Sequence, residues 1–325
     1  MIARRQLIQL AGAAFSAGIL PAASMATPYR TIPQKPSARV IIDNDFAGDP
    51  DGLLALVHQL QTPKTQTVLI TASALDPGLA EGDLKTRSAT LGRAAAEELL
   101  VRARIAARPP VRAGTNLPGD HSPSEAAQAI VAEAMRDDIL PLFFTCGGPL
   151  TNLAAALILE PAIAARMTLI WIGGGIFPKG GWEYNLACDA EAARHVIERS
   201  AIPVWQVPLN AYRQMQYPIS ALQSELRPLS SFGAWLYDRF TTPPDFVNLG
   251  GTWPLGDSPL VLLSALSTES STATERDALR IAPDLSYGET IPGRTIRVFE
   301  QLDARLTFDD FFALMRLHAA GAIRP

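Results

Sequence analysis

Residues 39–60 read RVIIDNDFAGDPDGLLALVHQL. Val40, Ile41 and Ile42 form a short, wholly apolar, β-branched run, the pattern of a strand buried on both faces of a parallel sheet. The run ends in carboxylates. Asp43, Asp45, Asp49 and Asp51 follow closely, interrupted by Gly48 and Pro50, so the chain must turn sharply where the acids concentrate. Leu53, Leu56, Val57 and Leu60 then recur with helical spacing, and Asp51 is placed to cap the first turn. Strand, acidic loop and helix put these acids outside the carboxyl end of a strand, where open α/β sheets bind ligands.

The same device recurs along the chain. Apolar strands are predicted over residues 66–71, near Val111, and over 141–145, 167–172 and 204–207, alternating with helices over 84–106, 125–135 (capped by Ser124), after Gly148, and from about Asp189. The turn-rich loop after the second strand is long enough to reach over the first acidic loop. A helical pattern runs from Pro218 to Phe240, another from Pro259 to Leu266, and a last one from Phe308 to Ala319. Residues 280–282 and 295–298 read as a late antiparallel pair. The fold class is therefore α/β: a doubly wound, mostly parallel open sheet flanked by helices, with a small antiparallel addition near the C-terminus.

Composition narrows the function. With 325 residues and 48% hydrophobic content, the chain can bury one large core. Residues 1–26 read as an export signal: Arg4 and Arg5 precede an apolar stretch too short to span a bilayer, then a small-residue site ending Ser24-Met25-Ala26. With RRQLI at the front this segment resembles a twin-arginine signal, which implies a periplasmic protein. Residues 27–37 are a Pro-rich lead-in, and 38–325 are expected to form a single domain. Loss of Arg4 and Arg5, with no acids, moves the formal charge from −4 to −6, which argues against a nucleic-acid partner; no stable membrane association is expected, and a homo-oligomer is left open. The two cysteines, Cys146 and Cys188, read as structural thiols rather than a disulfide.

Four segments together resemble the inosine-uridine-preferring nucleoside N-ribohydrolase family. The family's opening Asp-x-Asp-Pro-Gly-x-Asp-Asp-Ala-x-Ala-Leu is similar to residues 43–56, with two extra residues in the loop and Gly52 in the place of a calcium-binding aspartate, for which Asp49 is the nearest replacement. Its Thr-Gly-Gly-Leu-Thr-Asn resembles Thr145-Cys146-Gly147-Gly148-Pro149-Leu150-Thr151-Asn152. Its Gly-Gly-Gly turn, Glu-Phe-Asn and Asp-Pro-Glu-Ala-Ala resemble residues 173–175, Glu183-Tyr184-Asn185 and residues 189–193. Its His-Asp-Pro is similar to Gly256-Asp257-Ser258, which keeps the aspartate and lacks the histidine.

The resemblance implies a hydrolase that cleaves the N-glycosidic bond of small-molecule nucleosides or ribosides with a calcium-activated water. Calcium takes hard oxygen ligands, implied here to be Asp45, Asp49, Asp257 and the Thr145 carbonyl, with Asp45 also the base. Asp51, Glu183 and Asn185 are implied to bind the sugar, with Asp43 in support. His121 and Tyr184 are candidates to protonate the leaving group in place of the missing histidine. Two other readings stay open: a haloacid-dehalogenase-like phosphatase, on the strand-end Asp43-Asn44-Asp45, the strand-end Thr145 and the late Gly256-Asp257, and an exported riboside-binding protein without turnover, on Gly52 and Gly256.

Overall fold

The apolar run of residues 40–42 lies inside strand β1 (Ala38–Asn44), in which every residue is buried. In the computed structural model, which describes residues 34–241 and 250–323, β1 lies in the interior of an 8-stranded sheet. The expected export signal, and the lead-in up to residue 33, lie outside the described residues. The neighbours of β1 are β2 (Thr65–Ala72) and β4 (Leu142–Cys146), both parallel to it. With β3 (Val111–Ala113), β5 (Met167–Ile172), β6 (Val204–Val207), β9 (Thr272–Ile281) and β10 (Tyr287–Gln301), the order is β3-β2-β1-β4-β5-β6-β10-β9. The chain winds outward from β1 through β2 to β3, then crosses back to β4 and winds the other way. The crevice between the carboxyl ends of β1 and β4 is thus the topological switch point.

Period-2 alternation along β1 feeds two cores. Val40 and Ile42 pack with α1 (Asp51–Gln61), α2 (Leu84–Arg102) and the last helix, Ala304–Ala319, through Leu53, Leu56, Leu99 and Phe311. Ile41 faces the opposite core, with Ile130 of α3 (Glu125–Ala134), Leu153 of α4 (Thr151–Leu159) and Trp171 of β5. Ser124 caps α3 as its position suggests, its hydroxyl accepting the Ala127 N–H at 3.1 Å.

Three local expectations are corrected, and one small sheet is unanticipated. The late pair is antiparallel as expected, but its strands run 10 and 15 residues instead of three and four, and it is continuous with the main sheet: β10 pairs in parallel with β6 through Arg297 and Val298 and antiparallel with β9. Burying Ile296, Val298 and Phe299 there covers what would otherwise be an open β6 edge. A separate two-stranded antiparallel sheet, β7 (Gln216–Pro218) with β8 (Thr252–Pro254), is too short to leave a periodic signal. The helical pattern from Pro218 breaks near Pro228, which cannot donate to the preceding turn, and restarts at Ser231 under a Ser230 cap. Finally, Pro50 and not Asp51 occupies the N-cap of α1; Asp51 is its first residue, and its carboxylate is used elsewhere.

The Ser124 cap gives a simple check. Ser124→Ala should cost about 1 kcal/mol, which for a domain of this size is a fall of about 1.5–2 °C in Tm, read by thermal denaturation; an unchanged Tm would mean that the cap bond contributes nothing.

Candidate active site

At the carboxyl end of β1 the backbone turns at once, the Gly48 N–H returning to the Asp45 carbonyl at 2.7 Å. This turn and the start of α1 set Asp45, Asp49 and Asp51 along one wall of a cavity of about 630 Å³, a volume suited to a small ligand. The wall is completed by Asp257, by Gly147 beyond β4, and by Glu183, Tyr184 and Asn185 beyond β5. The loop after β2 does reach over the acidic loop, supplying Leu75, Leu79, Ala80 and Glu81. Trp182, 62% exposed, and Arg239 stand on the same cavity.

The carboxylates are linked through neutral donors. The Asp51 N–H donates to Asp49 Oδ1 at 3.2 Å, the Asp257 N–H donates to Asp51 Oδ2 at 3.0 Å, and Asn44 Nδ2 donates to Asp257 Oδ2 at 2.8 Å. No cation offsets their charge in these contacts. Burial, then the nearby Asp257 and Asp49 carboxylates, hold both Asp45 and Asp51 well above the usual carboxylate range. Burial likewise pushes Asp257 up to about 8 against the opposing bond from Asn44. Like charges gathered in a place of low polarity disfavour ionisation unless a cation joins them.

Other residues of the expected set stand behind the cavity or brace it. Asp43 accepts the Thr71 hydroxyl at 2.6 Å and Asn152 Nδ2 at 2.7 Å, tying β1 to β2 and to α4; burial still raises it to about 6. Thr145 is buried with its hydroxyl on the Ile41 carbonyl at 3.2 Å. Glu183 caps a short helix, α5 (Tyr184–Cys188), by accepting the N–H groups of Asn185 and Leu186, and it also takes the Gly174 N–H and the Tyr212 hydroxyl. Four protein donors match the usual capacity of a carboxylate, so Glu183 positions this wall more than it offers free lone pairs. Asn185 commits its amide nitrogen to the carbonyls of Gly147 at 3.2 Å and Ile172 at 2.9 Å, which leaves Oδ1 for a ligand.

The two candidate proton sources separate. Tyr184 lines the cavity, its hydroxyl accepting the Asp76 N–H at 3.4 Å. His121 bonds Asp189 at 2.9 Å, beside Thr151, and is not part of the cavity wall. Cys146 and Cys188 are free thiols. Sequence reasoning missed Tyr212, which approaches from the short helix after β6 (Leu209–Tyr212) and fills the space left by Gly256: a Cβ there would stand 3.1 Å from its ring. Nothing near Tyr212 in the sequence signals this, because the contact joins segments far apart along the chain.

Among the described residues, no group of three His, Cys, Asp or Glu side chains is arranged to grip an ion as it stands. The donor chemistry nevertheless fits a hard divalent cation: oxygen atoms only, several of them anionic, buried and mutually repelling. Among the described residues no helix is long and apolar enough to cross a membrane.

Comparison with known proteins bears on this cavity. Residues 40–309 match the family model of the inosine-uridine preferring nucleoside hydrolase. The chain is 30% identical over 223 residues to the pyrimidine-specific ribonucleoside hydrolase RihA of Salmonella paratyphi A, covering 62% of this chain and 70% of that protein. It is 28% identical over 262 residues to the RihA of Salmonella arizonae, covering 73% and 82%. Among solved structures it resembles the inosine-uridine preferring nucleoside hydrolase of Bacillus anthracis (TM-score 0.64, 18% identity, 86% of this chain and 99% of that one). It similarly resembles the purine-preferring ribonucleoside hydrolase of Gardnerella vaginalis (TM-score 0.64, 20% identity, 86% and 99%). A match running from β1 into the last helix, over the cavity and both cores, means that the chain belongs to the inosine-uridine preferring nucleoside hydrolase family, enzymes that cleave the N-glycosidic bond of ribonucleosides.

Proposed function

We propose that the cavity at the β1/β4 switch point hydrolyses ribonucleosides or related ribosides with the aid of a bound divalent cation, calcium by the chemistry of its donors. The observation that carries this reading is the gathering of Asp45, Asp49, Asp51 and Asp257 on one cavity with, among the described residues, no cationic side chain bonded to them. Asp45, Asp49 and Asp257 on the cavity wall are the groups assigned to hold the ion, and the resemblance adds the carbonyl of Thr145, which lies behind that wall near the end of β4. When bound, it supplies a lowered pKa to a coordinated water and an anchor for sugar hydroxyls.

The chain's own residues do the rest. Asp45 takes the proton of the attacking water, and the carboxylates around it favour the positive charge that develops on the ribosyl ring as the bond to the base breaks. Asp51 and Asn185 Oδ1 accept hydroxyl hydrogens that only a sugar presents at this wall. Glu183 keeps Asn185 and Tyr212 in place. Trp182 offers an apolar face to the leaving group at the exposed end of the cavity. Family membership removes the phosphatase reading. The relatives' names divide between pyrimidine and purine preference, so the base is left to experiment. Residues 1–26 are proposed to carry the protein to the periplasm by the twin-arginine route.

Release of reducing sugar from a panel of nucleosides and ribosides tests the reaction. Wild-type protein should release ribose with calcium present and lose that activity on chelation, and Asp45→Asn should lower kcat by at least about 100-fold. Tight riboside binding with no ribose released would instead favour the reading without turnover.

The leaving group provides a second test. Breaking the bond to a purine leaves negative charge on the base, and removal of a general acid typically costs about 10²- to 10⁴-fold in rate. Gly256 cannot donate a proton, and Tyr212, which stands in its space, has a phenol made a weaker acid by burial and by the Glu183 carboxylate. Hydrolysis of p-nitrophenyl riboside, whose leaving group needs no proton, should therefore outpace that of inosine and uridine. Equal rates on all three would show that another group protonates the base.

A further inference from the structure

Gly52, like Gly256, stands where the resemblance places a functional side chain, and its space too is filled from elsewhere. A Cβ at Gly52 would lie 2.6 Å from Asn44 Oδ1, 2.9 Å from its Cγ and 3.0 Å from its Nδ2. Any side chain at 52 must displace Asn44. On the far side, a Cβ at Gly147 would lie 2.3 Å from Asn44 Nδ2 and 2.6 Å from Asp257 Oδ1. Asn44, 1% exposed, is thus wedged between two glycines and against Asp257, directly behind Gly147 and Asp257, which line the cavity.

The amide and the carboxylate face each other at 2.8 Å, Nδ2 to Oδ2. Oxygens bound to one calcium ion at about 2.3–2.6 Å and about 72° apart, as around the equator of a pentagonal bipyramid, stand about 2.7–3.1 Å from each other, so this is also the spacing of two ligands sharing a cation. Turning the amide over exchanges its nitrogen for its oxygen without moving the rest of the side chain.

We propose that Asn44 supplies the ligand oxygen missing at position 52, its side-chain carbonyl holding the divalent ion together with Asp257. This rests on the cation-assisted reading given above and adds a residue to it. The site then carries one negative charge fewer than an all-aspartate site, so it binds calcium more weakly, and only an exchange of two residues can restore the aspartate.

Calorimetric titration of calcium into chelator-treated protein reads this directly and independently of turnover, with circular dichroism to confirm folding. Asn44→Ala should weaken calcium binding at least tenfold. Asn44→Asp, which keeps the shape and adds the charge, should tighten it at least tenfold. The double variant Asn44→Ala/Gly52→Asp should recover at least wild-type affinity, whereas Gly52→Asp alone, crowded against Asn44, should not. Wild-type affinity in folded Asn44→Ala, or no tightening in Asn44→Asp, would overturn the assignment and make the bond to Asp257 purely structural. Wild-type protein that binds no divalent ion would overturn the cation-assisted reading itself, and this assignment with it.

Discussion

The structure depends on carboxylates buried beside one another that, among the described residues, are bonded to neutral donors and not to a cationic side chain. Asp43, Asp45, Asp51 and Asp257 are all raised above the ordinary carboxylate range, first by burial. A fold tolerates such a cluster only where backbone amides, hydroxyls and amides of side chains take up the lone pairs, and where a cation or protons offset the charge. Here the donors come from every element that meets at the switch point. Thr71 ends β2, Asn152 begins α4, and the Asp257 N–H arrives from a loop distant in sequence. The acids therefore hold the crevice together as well as furnish it.

A division of labour follows from who bonds to whom. Asp43 and Glu183 have their oxygens filled by protein donors, and they fix strand ends and the short helix after β5. Asp45, Asp49 and Asp257 face the cavity with fewer partners. The two glycines that depart from the family pattern make room for Asn44 and Tyr212, so side chains from other segments stand where a Cβ at 52 or 256 would be. Changes of this kind keep the space beside the cavity filled while altering its charge and its supply of protons.

Most of the sheet could be read from the sequence because buried parallel strands announce themselves as short apolar runs, and β5 and β6 match their predicted bounds. The turn residues after β1, β4 and β5 marked segments that do line the cavity. What stayed hidden was tertiary. The pairing of β10 with β6, the three-residue strands β7 and β8, and the break near Pro228 depend on partners far away in sequence or on too few residues to show a period. Within the site, the side chains that converge on the cavity were readable from motif and chemistry. The four donors on Glu183, the placement of His121 against Asp189, and the occupation of glycine space by Asn44 and Tyr212 were not, since each is a contact between distant segments.

The pH dependence of stability in chelator-treated protein tests the uncompensated cluster most directly. Carboxyls whose folded pKa is raised, Asp43 to about 6 and Asp257 to about 8, favour the fold while protonated. Their contribution is complete below about pH 4 and is lost as pH rises through 6 and 8. Tm of the stripped protein should therefore fall between about pH 5 and pH 8, with calcium raising it far more at the upper end, where the ligands are ionised. At 100 times its dissociation constant calcium should add roughly 2.7 kcal/mol. A Tm that stays level or climbs over this range, with no response to calcium at pH 8, would contradict the account.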